Sequence, residues 1–253
     1  MAKSKIALVT GGSRGLGKNM ALAIAKKGLD VVITYNSKKE EAESVVQEIQ
    51  IMGQKAAALQ LDVASTAGFD TFINQLKAVL SAVFESNSFD YLVNNAGTGL
   101  YVPYTETTED QFDSMMNIHL KSPFILTQKT LPIMTDGGGI INISSGLARF
   151  SQPGSSAYGT MKGAIEVLTR YQAKELGLRG IRSNVVAPGP IETDFGGGRV
   201  RDNADINKFL SSQTALGRVG LPDDIGGVVA FLCTEESRWV TAQRIEVSGG
   251  IFI

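Results

Sequence analysis

One cysteine, one histidine and one tryptophan in 253 residues leave several chemistries without material. With Cys233 alone, no disulfide can form within the chain, and its setting in VVAFLC reads as a packed thiol. With His119 alone, no His/Cys/carboxylate cluster has metal-ligand spacing and no serine has a histidine to activate it, so no metal site is expected. Neither sign of charge is in excess: 24 Lys and Arg face 25 Asp and Glu, which offers nothing to nucleic acid or to an anionic membrane. No apolar stretch is long enough to span a bilayer, and the run at 6–9 is too short for a signal-peptide core. No proline- or serine-rich linker divides the chain. These absences point to a single domain over 1–253 in a cytoplasmic setting, with 43% hydrophobic residues to fill its core.

What is present is an alternation. Short β-branched runs, KIALVT (5–10), DVVITY (30–35), KAAALQLDV (55–63), FDYLVNN (89–95), GIINISS (139–145), IRSNVVA (181–187) and RIEVSG (244–249), are apolar nearly throughout. Strands covered on both faces must be so. Segments with helical periodicity separate them, at 16–27, 39–52, 69–85, 108–131 with a break near Pro123, 156–176 and 223–234. Strand and helix in alternation predict an α/β doubly wound parallel sheet of about seven strands with helices on both faces. Ligands bind beyond the carboxyl ends of such strands, so the chemistry is sought there.

The first predicted strand ends in TGGSRGLGKNMA, where glycines at 11, 12, 15 and 17 allow a tight turn and a close approach of backbone N–H groups to phosphate. Counted from Gly15, a G-x-G-x-x-G fingerprint fails at Met20. Further on, Tyr158 and Lys162 lie four residues apart and leave one face of a helix together. A tyrosine hydroxyl ionises near pH 10, and a fixed ammonium beside it favours the phenolate and brings it toward acid/base work.

The motifs Thr10-Gly11-x-x-x-Gly15-x-Gly17, Asn94-Asn95-Ala96-Gly97 and Tyr158-x-x-x-Lys162, in that order, resemble the short-chain dehydrogenase/reductase family. The resemblance runs from Lys5 to Ser248-Gly249-Gly250 and implies a Rossmann-like fold that binds a nicotinamide dinucleotide. It implies a crevice lined by Gly11, Ser13, Arg14, Gly15, Leu16, Gly17, Asn94, Ala96 and Gly97, with Asp62 and Val63 at the adenine and Pro188, Gly189, Ile191 and Thr193 at the nicotinamide. It also implies a catalytic tetrad: Tyr158 as general acid/base, Lys162 charging it and holding the ribose, Ser145 bonding the substrate oxygen, and Asn117 holding a water behind the lysine. Ser144 reads as a plain strand-end hydroxyl. His119 follows Asn117 by two residues and is expected on another face, in a structural or surface role.

The second predicted strand ends in Tyr35-Asn36-Ser37-Lys38, without the acidic residue that an NAD site places there, and Asp30 stands at the wrong end of that strand. Arg14 and Ser37, with Lys38, suit a 2′-phosphate, so NADP(H) is expected over NAD(H). Tyr101, Leu147, Phe150 and Phe195 would wall an apolar substrate pocket under a lid at about 194–214, and Arg149, Arg199 and Arg201 are candidates for a substrate anion. The expected activity is reduction of a small apolar carbonyl or oxidation of the matching alcohol. Two alternatives stand behind it. A 3-oxoacyl-[acyl-carrier-protein] reductase would need basic residues where TDGGG (135–139) offers only nearby Arg179, and a non-catalytic cofactor sensor could dispense with Tyr158 or Lys162. Extra apolar residues (Ile125, Leu126, Leu131, Ile165, Val167, Leu168, Tyr171) and an apolar end at 251–253 predict a homotetramer, or at least a homodimer.

Overall fold

The structure, a computed structural model, describes residues 4–253, so residues 1–3 of the lysine-bearing start lie outside the described residues. The chain runs β1 (Ile6–Val9), α1 (Gly15–Lys26), β2 (Asp30–Tyr35), α2 (Lys39–Ile51), β3 (Ala56–Gln60), α3 (Phe69–Phe84) and β4 (Phe89–Asn94). It continues through α4 (Glu109–Met116), α5 (Ser122–Thr130), β5 (Met134–Ile143), α6 (Ser156–Leu176) and β6 (Arg182–Pro188). Last come α7 (Arg199–Asp202), α8 (Ala204–Ser212), α9 (Asp223–Leu232) and β7 (Arg244–Val247).

All seven strands pair in parallel, in the order β3-β2-β1-β4-β5-β6-β7. Alternation along β1 sends Ala7 and Val9 into a core shared with α1, α2 and α9, and Ile6 and Leu8 into one shared with α3 and α5. The sheet order reverses between β1 and β4, which opens a crevice at their carboxyl ends.

Sequence expectations on β5, on the apolar helix faces and on the chain end need correction. β5 begins at Met134 and not at Gly139, because Gly137 and Gly138 carry the strand past β4 through a register shift that side chains would block. A Cβ at Gly138 would lie 2.1 Å from the Asp90 carbonyl. The break expected near Pro123 in the fourth helical segment is present as a π-helical turn at Asn117–Lys121. Pro123 has no N–H to return to the His119 carbonyl, and its ring crowds that carbonyl, so the turn widens there. Finally, Leu126 and Ile165 are core residues, and the apolar surface of these helices is Phe124, Val167 and Tyr171. The C-terminal residues also fold back on their own chain: Ile251 bridges Thr214 and is 1% exposed, and Phe252 packs edge-on against Phe150 while staying partly open, with Ile253 exposed at 91%.

The glycine turn and α1 fit together without room for a side chain at residue 17. A Cβ on Gly17 would lie 2.0 Å from the Gly11 carbonyl oxygen and 2.6 Å from Asn95 Nδ2. Gly17→Ala is expected to cost about 1–3 kcal/mol and to lower the melting temperature by several degrees. Differential scanning fluorimetry checks it, and an unchanged melting temperature would show that this packing is not constraining.

Candidate active site

The crevice at the reversal point is a cavity of about 790 Å³. Gly11 and Gly15 form its floor with φ of +66° and +54°, conformations that a side chain disfavours. The Thr10 hydroxyl accepts the backbone N–H groups of Asn95 and Ala96, and Asn95 Nδ2 donates to the carbonyls of Thr10 and Gly11, so the turns after β1 and β4 are one hydrogen-bonded unit. Ser13, Arg14, Leu16 and Gly17 line this end with Tyr35, Asn36, Ser37, Asp62 and Val63. Ala96 and Gly97 line the middle, with Pro188, Gly189, Ile191 and Thr193 opposite. Asn94 does not belong to this set. Its amide turns to the other face of the sheet, donating to Asn142 Oδ1 and Thr127 Oγ1, and the asparagine at the crevice is Asn95.

Tyr158, Lys162 and Ser145 converge on the cavity. Lys162 Nζ donates to the Ile143 carbonyl at 2.7 Å and stands 5.4 Å from the centre of the Tyr158 ring. Burial pulls the Lys162 ammonium down to about 7. Burial also pushes the Tyr158 phenol above its ordinary value, with Tyr101 adding to the rise and a hydrogen bond to Ser145 opposing it. The expected lowering of the phenol by Lys162 is therefore reversed: desolvation dominates, and Tyr158 holds its proton at neutral pH. Ser144 is tied to the Lys162 carbonyl and to Glu166 Oε1, which leaves Ser145 as the serine at Tyr158. Of the small residues on α6, Gly159 lets the helix approach Leu147, where a Cβ would sit 3.0 Å from the carbonyl oxygen, while Gly163 faces open space.

Sequence reasoning missed His119. The π-turn breaks the count of 100° per residue and brings His119, with Ile118, to the cavity wall, whereas Asn117 starts that turn and is not part of the wall. His119 is buried, its Nε2 lies 2.7 Å from the Thr98 carbonyl, and its ring meets Tyr158 edge-on at 5.1 Å. A carbonyl only accepts, so Nε2 carries the proton. Burial first, and then the Lys162 charge, push the imidazole down to about 3, so it stays neutral. The signal in the sequence was Pro123, four residues beyond His119.

Beyond Tyr158 the cavity turns apolar, with Phe195 tilted against the tyrosine at 5.8 Å and Tyr101, Leu147, Phe150, Val200, Ile206, Leu210 and Ile251 around it. The described residues contain no cluster of three or more potential metal ligands and no helix long and apolar enough to cross a membrane.

Residues 11–251 match the family model described as enoyl-(acyl carrier protein) reductase. The chain belongs to the short-chain dehydrogenase/reductase family. As such it is an oxidoreductase. It is 35% identical to a hydroxynaphthalene reductase-like protein, Arp2, of Metarhizium brunneum, over 97% of this chain and 94% of the relative. Among solved structures it is similar to the promiscuous reductase LugOII, which catalyses keto-reduction at C1 during lugdunomycin biosynthesis (TM-score 0.92, 37% identity, covering 98% of this chain and 97% of LugOII). It is similar also to the angucycline C-6 ketoreductase LanV with bound NADP (TM-score 0.92, 35% identity, covering 97% and 95%). Within this dehydrogenase/reductase frame, the structure adds His119 to the cavity wall and turns Asn94 away from it.

The burial of neutral His119 sets a pH dependence. The unfolded chain takes up the imidazole proton near its ordinary 6.5 and the folded chain only near 3, so between these values the unfolded state binds more protons. Stability is present above 6.5 and is lost as pH falls through that window. From pH 6.5 to 5 the loss is about 2 kcal/mol. Urea titrations at pH 7 and pH 5 should show His119→Phe losing correspondingly less than the wild type. An equal loss in both proteins would place the protonation elsewhere.

Proposed function

We propose that this protein is an NADP(H)-dependent ketoreductase of small aromatic ketones, with Tyr158 as the proton donor. The observation that carries this reading is the convergence of protonated Tyr158, Ser145 and Lys162 on a cavity with one glycine-floored cationic end and one aromatic end. The cationic end fits a 2′-phosphorylated nucleotide. Arg14 and Lys38 line it, no carboxylate occupies 35–38, and the Arg14 contact to Asp194 is a loose 4.0 Å between exposed groups, which leaves the guanidinium free to turn to an anion. When bound, the cofactor supplies hydride to the carbonyl carbon. Tyr158 gives its proton to the carbonyl oxygen, Ser145 orients that oxygen, and Lys162, poised near neutrality, returns a proton to Tyr158. His119 keeps the Tyr158 ring in register with the turn at Thr98. NADP bound to LanV, the keto-reduction named for LugOII and LanV, and the hydroxynaphthalene reductase-like name of Arp2 support both halves of the reading.

The segment 194–214 acts as a lid in this reading, hinged on Gly196, Gly197 and Gly198, which all have positive φ. Exposed Phe124, Val167 and Tyr171 (62% exposed) on α5 and α6 support self-association through these helices, up to a homotetramer. An acyl-carrier reductase is the weaker alternative, because Arg179 is occupied by Asp136 and by the carbonyls of Leu131 and Met134.

Tyr158→Phe removes the proton and little volume, so it is expected to lower kcat at least about a hundredfold with cofactor affinity nearly unchanged. Steady-state oxidation of NADPH with 2-acetylnaphthalene reads the first and fluorescence titration the second. A variant that keeps most of its kcat would remove Tyr158 from the reaction. NADPH should bind at least about tenfold more tightly than NADH, roughly 1.4 kcal/mol, and Arg14→Ala should erase the difference. Equal affinities in the wild type would overturn the cofactor assignment.

A further inference from the structure

Four cationic side chains other than the neutral histidine line the cavity: Arg14, Lys38, Lys162 and Arg199. The first two stand at the nucleotide end and Lys162 at the reacting centre, which leaves Arg199 unexplained. The other arginines read from the sequence as anion candidates are spent. Arg149 forks onto Glu246 at 2.8 Å through both Nε and Nη2 and also donates to the Ile251 carbonyl, so it anchors the chain end. Arg201 is clasped by Asp202 and Asp194. Among the described residues Arg199 has no carboxylate partner; its guanidinium carbon lies 4.6 Å from the centre of the Tyr101 ring.

That placement is built by the backbone. Gly196, Gly197 and Gly198 carry the chain from Phe195 to Arg199 through three successive left-handed conformations. At Gly196 a Cβ would come 2.8 Å from Tyr101 Cε2, so the ring lies against the turn itself. The stack holds a planar fork of N–H donors at the wall of the aromatic half of the cavity, on the side where Phe195 and Tyr101 lead to Tyr158. With its carbon over the Tyr101 ring and no carboxylate on it, the guanidinium keeps N–H donors that can take a carboxylate in two parallel hydrogen bonds.

We propose that Arg199, stacked on Tyr101, recognises a carboxylate on the substrate, so that the preferred substrates are aromatic keto acids. This rests on the ketoreductase reading for the carbonyl and adds the acid. The test uses binding, so that it stands apart from turnover. The protein saturated with NADPH is titrated calorimetrically with 2-naphthoate and with its neutral isostere naphthalene-2-carboxamide. The wild type is expected to bind the carboxylate at least about tenfold more tightly, with the margin shrinking as salt rises. Arg199→Gln should bring the two affinities together, and Arg199→Lys, which keeps the charge but not the fork, should restore only part of the margin. Equal affinities in the wild type, no binding of either compound, or a margin unchanged in Arg199→Gln would each overturn the assignment. Reduction of 2-acetylnaphthalene is followed separately. Absence of turnover with both this ketone and the keto acid 6-acetyl-2-naphthoate, beside a carboxylate margin that depends on Arg199, would reject the ketoreductase reading and leave the anion site standing.

Discussion

Burying the Lys162 ammonium is the constraint around which the site is organised. Moving its pKa from 10.5 to about 7 corresponds to a cost of about 5 kcal/mol below neutral pH, a large share of the roughly 5–15 kcal/mol by which domains are stable. The charge has one carbonyl, that of Ile143, and the Tyr158 ring for company. Holding it there demands that α6 be fixed against the end of β5. The Ser144 hydroxyl does this by bonding both the Lys162 carbonyl and Glu166, and Glu166 is in turn held by Arg244 on β7. A glycine at 159 lets the helix come close enough to Leu147 for these bonds to form. The same approach buries Tyr158 and so keeps the phenol protonated, which ties the donor's readiness to the packing of the lysine.

His119 belongs to that arrangement from the opposite side. A charged imidazole next to Lys162 would add a second buried cation, and burial together with the lysine keeps it neutral. Its single committed hydrogen bond, to the Thr98 carbonyl, joins the turn after β4 to the ring of Tyr158. Gly97 is required for the same contact, since a Cβ there would lie 2.6 Å from His119 Cε1. Thus the glycine of the Asn94-Asn95-Ala96-Gly97 motif is accounted for here by side-chain packing.

Most of the fold could be read from the chain because strands covered on both faces leave uninterrupted apolar runs, and helices between them leave a different period. What could not be read has local causes. Gly137, Gly138 and Gly139 carry no side chains, so the early part of β5 has no pattern to detect. Asn94 and Asn95 are adjacent, and neighbouring residues at a strand end face opposite ways; which one meets the crevice depends on where β4 stops. Asn117 and His119 do leave different faces, as their spacing implies, but the π-turn sets which of the two meets the cavity. The chain end looked exposed because nothing local shows that Arg149, about a hundred residues earlier, donates to its carbonyls.

Asp194 shows how the two halves of the cavity are joined. It follows Thr193, which lines the wall beside the glycine turn, and it precedes the glycines that lead to Arg199. One of its oxygens faces Arg14 at the cationic end and the other takes Arg201. Both contacts are exposed and individually weak. The Arg201 clasp, reinforced by Asp202, holds the segment after Thr193, while the longer contact to Arg14 is the one that an arriving anion can displace. An anion drawn to Arg14 therefore competes with Asp194 for the guanidinium, and the carboxylate it releases sits one residue from Phe195, whose ring faces Tyr158.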